Sequence, residues 1–335
     1  MKKYSLIIGL ILSLTLTGCK GSGIPKKEKY SNEVEYAEFN EGMDKLLGDD
    51  SEIVPSGHDE EEPSIKVNGK ITSDTKQDLK DGTGAQRGKM SSHIELTQNS
   101  QFDGANNISK VQTKGSSKTE YTLDGEGDKE EAKADFTRVY QVMGEGETAK
   151  NISVNQKDKE YYLAGDDPSA QIASFLVLPL FFYGLGTAGW DTKSADEKAK
   201  WHFYIDKEVL FTATYTTSSK KELSGMVGSE YAKYADKEDS EDILIQFKVI
   251  KKKDALQALT VYFEMSGTET TTYVADYQES SDEIAFHNGD VFKEDTAVII
   301  ACRLELAKVT LSPVDVSSYT LKDVDEEAKL NPLAL

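Results

Sequence analysis

Four arrangements of reactive side chains stand out in this chain. Asp124, Glu126, Asp128 and Glu130 are spaced two residues apart, as the first ligands of a calcium loop are. The sixth position of such a loop is Lys129 instead of the glycine its sharp turn needs, and the twelfth is Asp135 instead of glutamate. The run therefore reads as a solvated acidic hairpin turn. Ser73-Asp-Thr-Lys76 has the spacing of a serine nucleophile and a lysine base on one helical turn. No Lys-Thr-Gly or Ser-Asp-Asn follows, and the segment is polar and turn-rich. His58, His93, His202 and His287 lie far apart without ligand spacing, and neither Gly-x-Ser-x-Gly nor His-Glu-x-x-His occurs. The two cysteines are Cys19 and Cys302. Cys302 falls among Val298, Ile300, Leu304 and Leu306 at strand period, the position of a buried small hydrophobe, not of a reactive thiol. The residues point to no enzyme, no metal and no cofactor.

Cys19 has a different chemistry. Lys2 and Lys3 precede the uncharged, mostly apolar stretch Tyr4 to Leu16, which is shorter than the roughly 20 residues a membrane span needs and suits a signal-peptide core. Leu16-Thr17-Gly18-Cys19 closes it and resembles the lipobox of bacterial lipoproteins. The resemblance implies a signal peptide at 1–18, a diacylglyceryl thioether on Cys19, cleavage before Cys19 and further acylation of the palmitate type. The expected location is the extracytoplasmic face of the cell membrane, held by lipid; two acyl chains anchor stably where one is marginal. No later segment reaches 18 apolar residues, and Asn331–Leu335 carries no wall-sorting pattern.

Without residues 1–18 the chain carries 37 basic and 59 acidic residues, a net charge of −22. Such a chain should repel nucleic acid and anionic membrane surfaces. Lys251-Lys252-Lys253 is its longest basic run and lies between two expected strands. With Cys19 acylated no internal disulfide is possible, so the fold must rest on its apolar core.

Residues 19–63 read as a lipidated, acidic, flexible tether, with five lysines against thirteen acids over 20–63. If flexible, its 44 residues would span roughly 35–40 Å. Tyr36, Phe39, Met43, Leu46 and Leu47 recur at helical spacing, so a short helix from Val34 to Leu47 is compatible with it. From 64 onward alternation dominates. Strand signals cover 90–97, 108–114, 118–123, 134–142, 152–154, 161–163, 201–205, 209–215, 243–250, 259–265 and 296–311. Turns are expected at Asp124–Asp128, Lys157-Asp158, Asp206-Lys207-Glu208 and Gly267, the last leading to a strand at Thr270–Tyr277. One apolar helix breaks the meander: Asp167 can cap it, Pro168 suits its first turn, Pro179 should kink it, and Gly184 and Gly186 end it. Ile172 to Gly186 has no charge. Such a helix is either a core helix packed on the sheet or a lid over a ligand cavity, with Phe175, Leu178, Phe181 and Phe182 facing Phe203, Phe211 and Phe263.

The body also resembles the LolA/LppX-like lipoproteins. Trp201-His-Phe-Tyr-Ile-Asp-Lys207 followed by Val209–Tyr215 is similar to the family's strand, Ile-Asp-Lys turn, strand hairpin. Thr272-Tyr-Val-Ala-Asp-Tyr-Gln278 followed by Asp282-Glu-Ile284 is similar to its late tyrosine-rich strand and acidic break; where many members have a proline next, Phe286-His287 stands here. The resemblance implies a curved antiparallel half-barrel with helices on its concave face, ligand or partner binding, and no catalytic residues. The reading is an α+β protein, mainly antiparallel β: one domain at 64–320 with the central apolar helix over its concave face, and a tail at 321–335. It would bind an apolar or amphiphilic ligand as lipid or lipoprotein carriers do. Two alternatives stay open: a structural or protein-interaction lipoprotein with a filled core, using Tyr204, Tyr262 and Tyr277 to dock an envelope protein, or an envelope enzyme built around His202 or His287.

Overall fold

The computed structural model describes residues 24–47, 65–102, 108–123, 126–144, 148–163, 189–207, 210–222, 235–252, 255–278, 285–306 and 313–323. Cys19, the segment 168–186 expected to form the apolar helix, and the tail beyond 323 lie outside them.

Strands β1 (Glu33–Val34) to β7 are Ile65–Lys80 (β2), Gln86–Phe102 (β3), Ile108–Leu123 (β4), Glu126–Met143 (β5), Lys150–Asn155 (β6) and Glu160–Leu163 (β7). The second half adds Trp201–Asp206 (β8), Leu210–Glu222 (β9), Ala235–Lys252 (β10), Ala255–Tyr273 (β11), Val291–Leu306 (β12) and Thr320–Lys322 (β13). They form one sheet in the order β1-β8-β9-β10-β11-β12-β2-β3-β4-β5-β6-β7-β13. Every pair is antiparallel except β13 on β7. Among the described residues the sheet is open, with β1 and β13 at its edges. The dominance of antiparallel strands is as expected from the alternation.

Eight of these strands are far longer than the usual five or six residues. β11, with 19 residues, is about 60 Å long at 3.3 Å per residue. Three sequence expectations change as a result. Gly267 is no turn; it pairs with Glu241 and Thr296 in the middle of β11. Residues 108–114 and 118–123 are one strand running through Gly115. The polar stretch around Ser73-Asp-Thr-Lys76 is the interior of β2, where residues three apart point to opposite faces, so Ser73 and Lys76 have no nucleophile–base geometry. The acidic repeat from Glu126 to Glu130 likewise lies in a strand, β5, in which Glu126 pairs with Leu123 of β4.

On one face, termed inner, one end is apolar. Phe203, Phe211, Ala213, Ile245, Phe247, Val249, Leu259, Val261, Met265, Val298, Ile300, Cys302, Leu304, Val67, Ile71 and Leu96 form a continuous buried cluster from β8 to β3. Cys302 is fully buried, and burial pushes its thiol up to about 12. The pattern then turns polar along each strand, through Gly267, Thr296, Thr75 and Ser92.

A helix, α1 (Tyr36–Leu47), covers part of the apolar end. Phe39 and Met43, one turn apart, have no exposed surface. The Phe39 ring lies 4.9 Å from that of Phe203 and 6.4 Å from that of Phe211. Gly42 lets the helix settle on β9: a Cβ there would fall 2.4 Å from the Phe211 ring. Before the helix the chain clips round the β8 edge. Asn32 exchanges hydrogen bonds with Ile205 at 2.5 and 3.3 Å, and Glu33 and Val34 pair with Tyr204 and Phe203. Residues 24–31 then lie on the outer face, where Lys27 bonds Glu264 on β11 and the backbone of Glu28 pairs twice with the Gln246 amide on β10. Tyr30 packs 5.2 Å from Tyr204 on β8. The folded body thus includes 24–47, which composition assigned to the tether.

Phe39→Ala should cost about 3–5 kcal/mol, since it removes a fully buried ring and leaves a cavity. Gly42→Val should also destabilise, by about 1–3 kcal/mol through overpacking on Phe211, despite valine's better helix propensity. Urea unfolding of the full chain measures both.

Candidate functional site

At the opposite end of the inner face the long strands become apolar again. Leu79 and Met90 sit on β2 and β3, Tyr121 on β4 and Phe292 on β12. Pairing places them together: Phe292 with Leu79, Leu79 with Gly88, Met90 with Tyr121. Gly88 has no side chain to fill the space beside them. Phe286, from the segment joining β11 to β12, stands over this floor and closes one side. The result is a cleft of about 240 Å³ lined by these six residues, with Gln77, Asp78, Lys89 and Thr122 at its margin.

The segment carrying Phe286 is held from several sides. Its ring stacks on Tyr273 at 4.2 Å with an interplanar angle of 7° and meets Phe292 edge-on at 6.3 Å. Tyr277 and Phe286 exchange both backbone hydrogen bonds, at 2.9 and 2.8 Å. Asp290 is nearly inaccessible; its carboxylate accepts from Arg87 at 2.5 Å and from the His287 N–H at 2.9 Å. Arg87 also donates to the Ala285 carbonyl at 3.1 Å. The 2–3 hairpin turn reaches across as well: Gly289, at φ 92°, lies so close to Gly82 that a Cβ would meet its Cα at 3.2 Å. That turn is tied by Asp81, whose carboxylate accepts from the Thr83 hydroxyl (2.7 Å), the Thr83 N–H (2.8 Å) and the Ala85 N–H (2.9 Å). A cleft built this way is preformed. Its walls offer mainly aromatic and aliphatic contact, with Asp78 and Lys89 at the margin, an arrangement that suits the burial of an apolar group.

The residues expected to bind ligand from the sequence are divided. Phe203 and Phe211 are brought together beneath Phe39. Phe263, on β11, is partly buried against the same cluster. Phe175, Leu178, Phe181 and Phe182 lie outside the described residues. The expected facing partner for the first two is thus filled by α1, reached from the opposite end of the chain. Of the cleft, sequence reading missed Leu79, Met90 and Tyr121, and had met Phe286 only as a departure from a family pattern.

The described histidines do not converge. His93 bonds Asp74 and His202 bonds Glu33, each at 2.7 Å, and His287 lies 3.7 Å from Asp276, all near the surface. Among the described residues no group of three or more His, Cys, Asp or Glu is placed to hold a metal ion. A second depression, about 300 Å³, lies mid-sheet on the outer face. Its aspartates are already engaged: Asp74 with His93, Asp242 with Ser218, and Asp295 with Thr268 and Lys293.

No protein-family model and no curated protein matches the sequence. Among solved structures it aligns with the TodX monoaromatic hydrocarbon channel deltaS2 mutant at 9% identity over 74% of this chain and 91% of that one, with a TM-score of 0.24. It aligns with the outer membrane protease OmpT from Escherichia coli at 7% identity over 75% and 99%, TM-score 0.18. OccK5 of Pseudomonas aeruginosa gives 7% identity over 71% and 98%, TM-score 0.16. Scores of this size assign neither fold nor function. No helix among the described residues is long and apolar enough to cross a membrane.

The hydrogen bonds to Asp81, first from the Thr83 hydroxyl and then from the Ala85 and Thr83 N–H groups, hold its carboxyl below the usual range. A depressed folded value means the stabilisation is complete above the ordinary carboxylate value, about pH 4, and is lost as pH falls through the lower folded value. Amide exchange at Thr83 and Ala85 should therefore speed up on acidification beyond the intrinsic rate change, and Asp81→Asn should abolish that extra dependence.

Proposed function

We propose that this chain is a lipid-anchored protein of the extracytoplasmic membrane face that binds an apolar or amphiphilic ligand, inserting an aromatic or short aliphatic group into the cleft under Phe286. The observation that carries this reading is the cleft itself: apolar walls, a glycine floor, and a covering segment fixed by stacking, backbone pairing and a partly buried ion pair. The Leu16–Cys19 pattern supports the anchor, with acyl chains on Cys19. The role is passive, without a catalytic step. At about 240 Å³ the cleft suits one ring or a few methylenes, so a longer ligand would continue along the inner face. The LolA/LppX-like half-barrel, with its concave face open to such a ligand, belongs to this proposal.

A filled core favours a second reading, a protein-docking lipoprotein. The apolar end of the sheet is packed by its own side chains and α1, with Phe247 at 1% and Val249 at 0% exposure. Titrating the mature protein with N-phenyl-1-naphthylamine separates the two. The ligand reading expects a single saturable site that Phe286→Asp weakens at least tenfold, since a buried aromatic contact is worth about 1.5–3 kcal/mol. Phe181→Asp reports separately on the 168–186 segment: loss of binding with unchanged strand content would place the ligand there instead. No saturable binding by the unsubstituted protein, together with no small molecule co-purifying by mass spectrometry, would leave the docking reading.

A further inference from the structure

The strap at 24–31 fixes where a lipid on Cys19 must sit. Its contacts run across the outer face toward the β8 edge: Lys27 on β11, Glu28 on β10, then Tyr30 beside β8. Ile24, the first described residue, is five residues beyond Cys19, a reach of at most about 18 Å in extended chain. A long tether lifting the body off the membrane is therefore replaced by a short lead ending on one particular face.

That face departs from the charge of the whole. Strand register puts Lys66, Lys70, Lys114, Lys248 and Arg303 on it between β10 and β4. The strap adds Lys26, Lys27 and Lys29, and the acids there are Glu28, Glu95, Glu264 and Glu305. Each acid already faces one of the cations: Lys248–Glu28 and Lys70–Glu95 at 2.7 Å, Lys27–Glu264 at 2.9 Å, Arg303–Glu305 at 3.5 Å. The neutral residues between them include Thr72, Thr97, Thr260 and Tyr262. The patch is thus net positive in a chain of net charge −20. Along the same strands the excess disappears where Asp74, Asp242 and Asp295 enter, and at the β8 edge, where Glu33 and Asp206 lie.

We propose that the outer face from β10 to β4, with the strap lysines, docks on anionic lipid headgroups of the membrane that holds Cys19. The proposal rests on the lipid-anchor reading above. Overall negative charge does not prevent it, because screening limits each charge to about 8 Å at physiological salt, so the membrane responds to the nearest patch. A lysine near an anionic surface contributes about a fivefold change in partition. Docked this way, the protein would keep its inner face and the cleft turned from the bilayer.

The test uses the lipidated mature protein on vesicles of phosphatidylcholine alone or mixed with phosphatidylglycerol. A fluorophore is placed at Ser116→Cys, within the patch on β4, or at Thr122→Cys, on the same face about 20 Å farther along the strand. Cys302 is fully buried and stays unlabelled. Quenching by a headgroup-labelled lipid should be several times stronger at 116 than at 122 on the mixed vesicles. The difference should vanish in about 1 M salt, where screening shrinks to about 3 Å, and in a Lys26→Glu, Lys29→Glu, Lys66→Glu variant. Equal quenching at both positions, or a difference indifferent to phosphatidylglycerol, would overturn the docking face while leaving the anchor intact. Flotation on pure phosphatidylcholine and the intact mass of the protein judge the anchor independently: no flotation and no acyl mass would remove the anchor, and this orientation with it.

Discussion

Strands of 16–19 residues expose more surface on each face than one small core can cover. A single sheet of such strands must find a separate partner for each apolar stretch and must protect its edges. At the β8 side one short segment does both. Residues 32–34 pair along the edge, α1 covers the inner apolar end, and 24–31 lie on the outer face. Phe39 and Gly42 set how closely the helix approaches, and the Gln246 amide imitates a strand by pairing with both backbone groups of Glu28. Without this clip the rings of Phe203 and Phe211 would lose their cover and β8 would offer open backbone groups.

The length of the strands also separates the tasks of the two ends. Between them the inner face is polar, and the ion pair Lys237–Glu269 at 2.6 Å sits in that band with side chains only 17% and 9% exposed. Packing strain at the apolar core is not transmitted through a continuous apolar layer to the cleft. The cleft instead depends on local devices: the Asp81 turn, the Gly82–Gly289 approach and the Arg87–Asp290 pair. Stability and binding are thereby placed in different parts of the same sheet.

What was legible in the sequence follows the same division. The hairpin from Trp201 to Tyr215 reads plainly because apolar and polar residues alternate up to the Asp206-Lys207 turn, where Lys207 takes φ 51°. The apolar halves of β10, β11 and β12 read for the same reason. Their polar halves do not: where a strand crosses the polar band, both faces carry Ser, Thr, Asp and Lys, and the period-two contrast vanishes. This hid β2 and turned Gly115 and Gly267 into apparent breaks. The helical spacing of Tyr36, Phe39 and Met43 was visible, yet thirteen surrounding acids outweighed it, because two fully buried side chains are enough to dock a three-turn helix and too few to change composition. The cleft drew on the hidden half of β2 and on pairings between residues some 200 positions apart, which no local pattern encodes. Phe286 was noticed only because a ring stood where a proline was expected.

The central claim is that 24–47 belongs to the folded body and closes the β8 edge. Hydrogen–deuterium exchange of the full chain tests it directly. Peptides from 32–47 should be protected together with those of β8 and β9, and Phe39→Ala should release both sets at once. Complete exchange of 24–47 at the earliest time point, with β8 still protected, would contradict it and return the segment to a free tether.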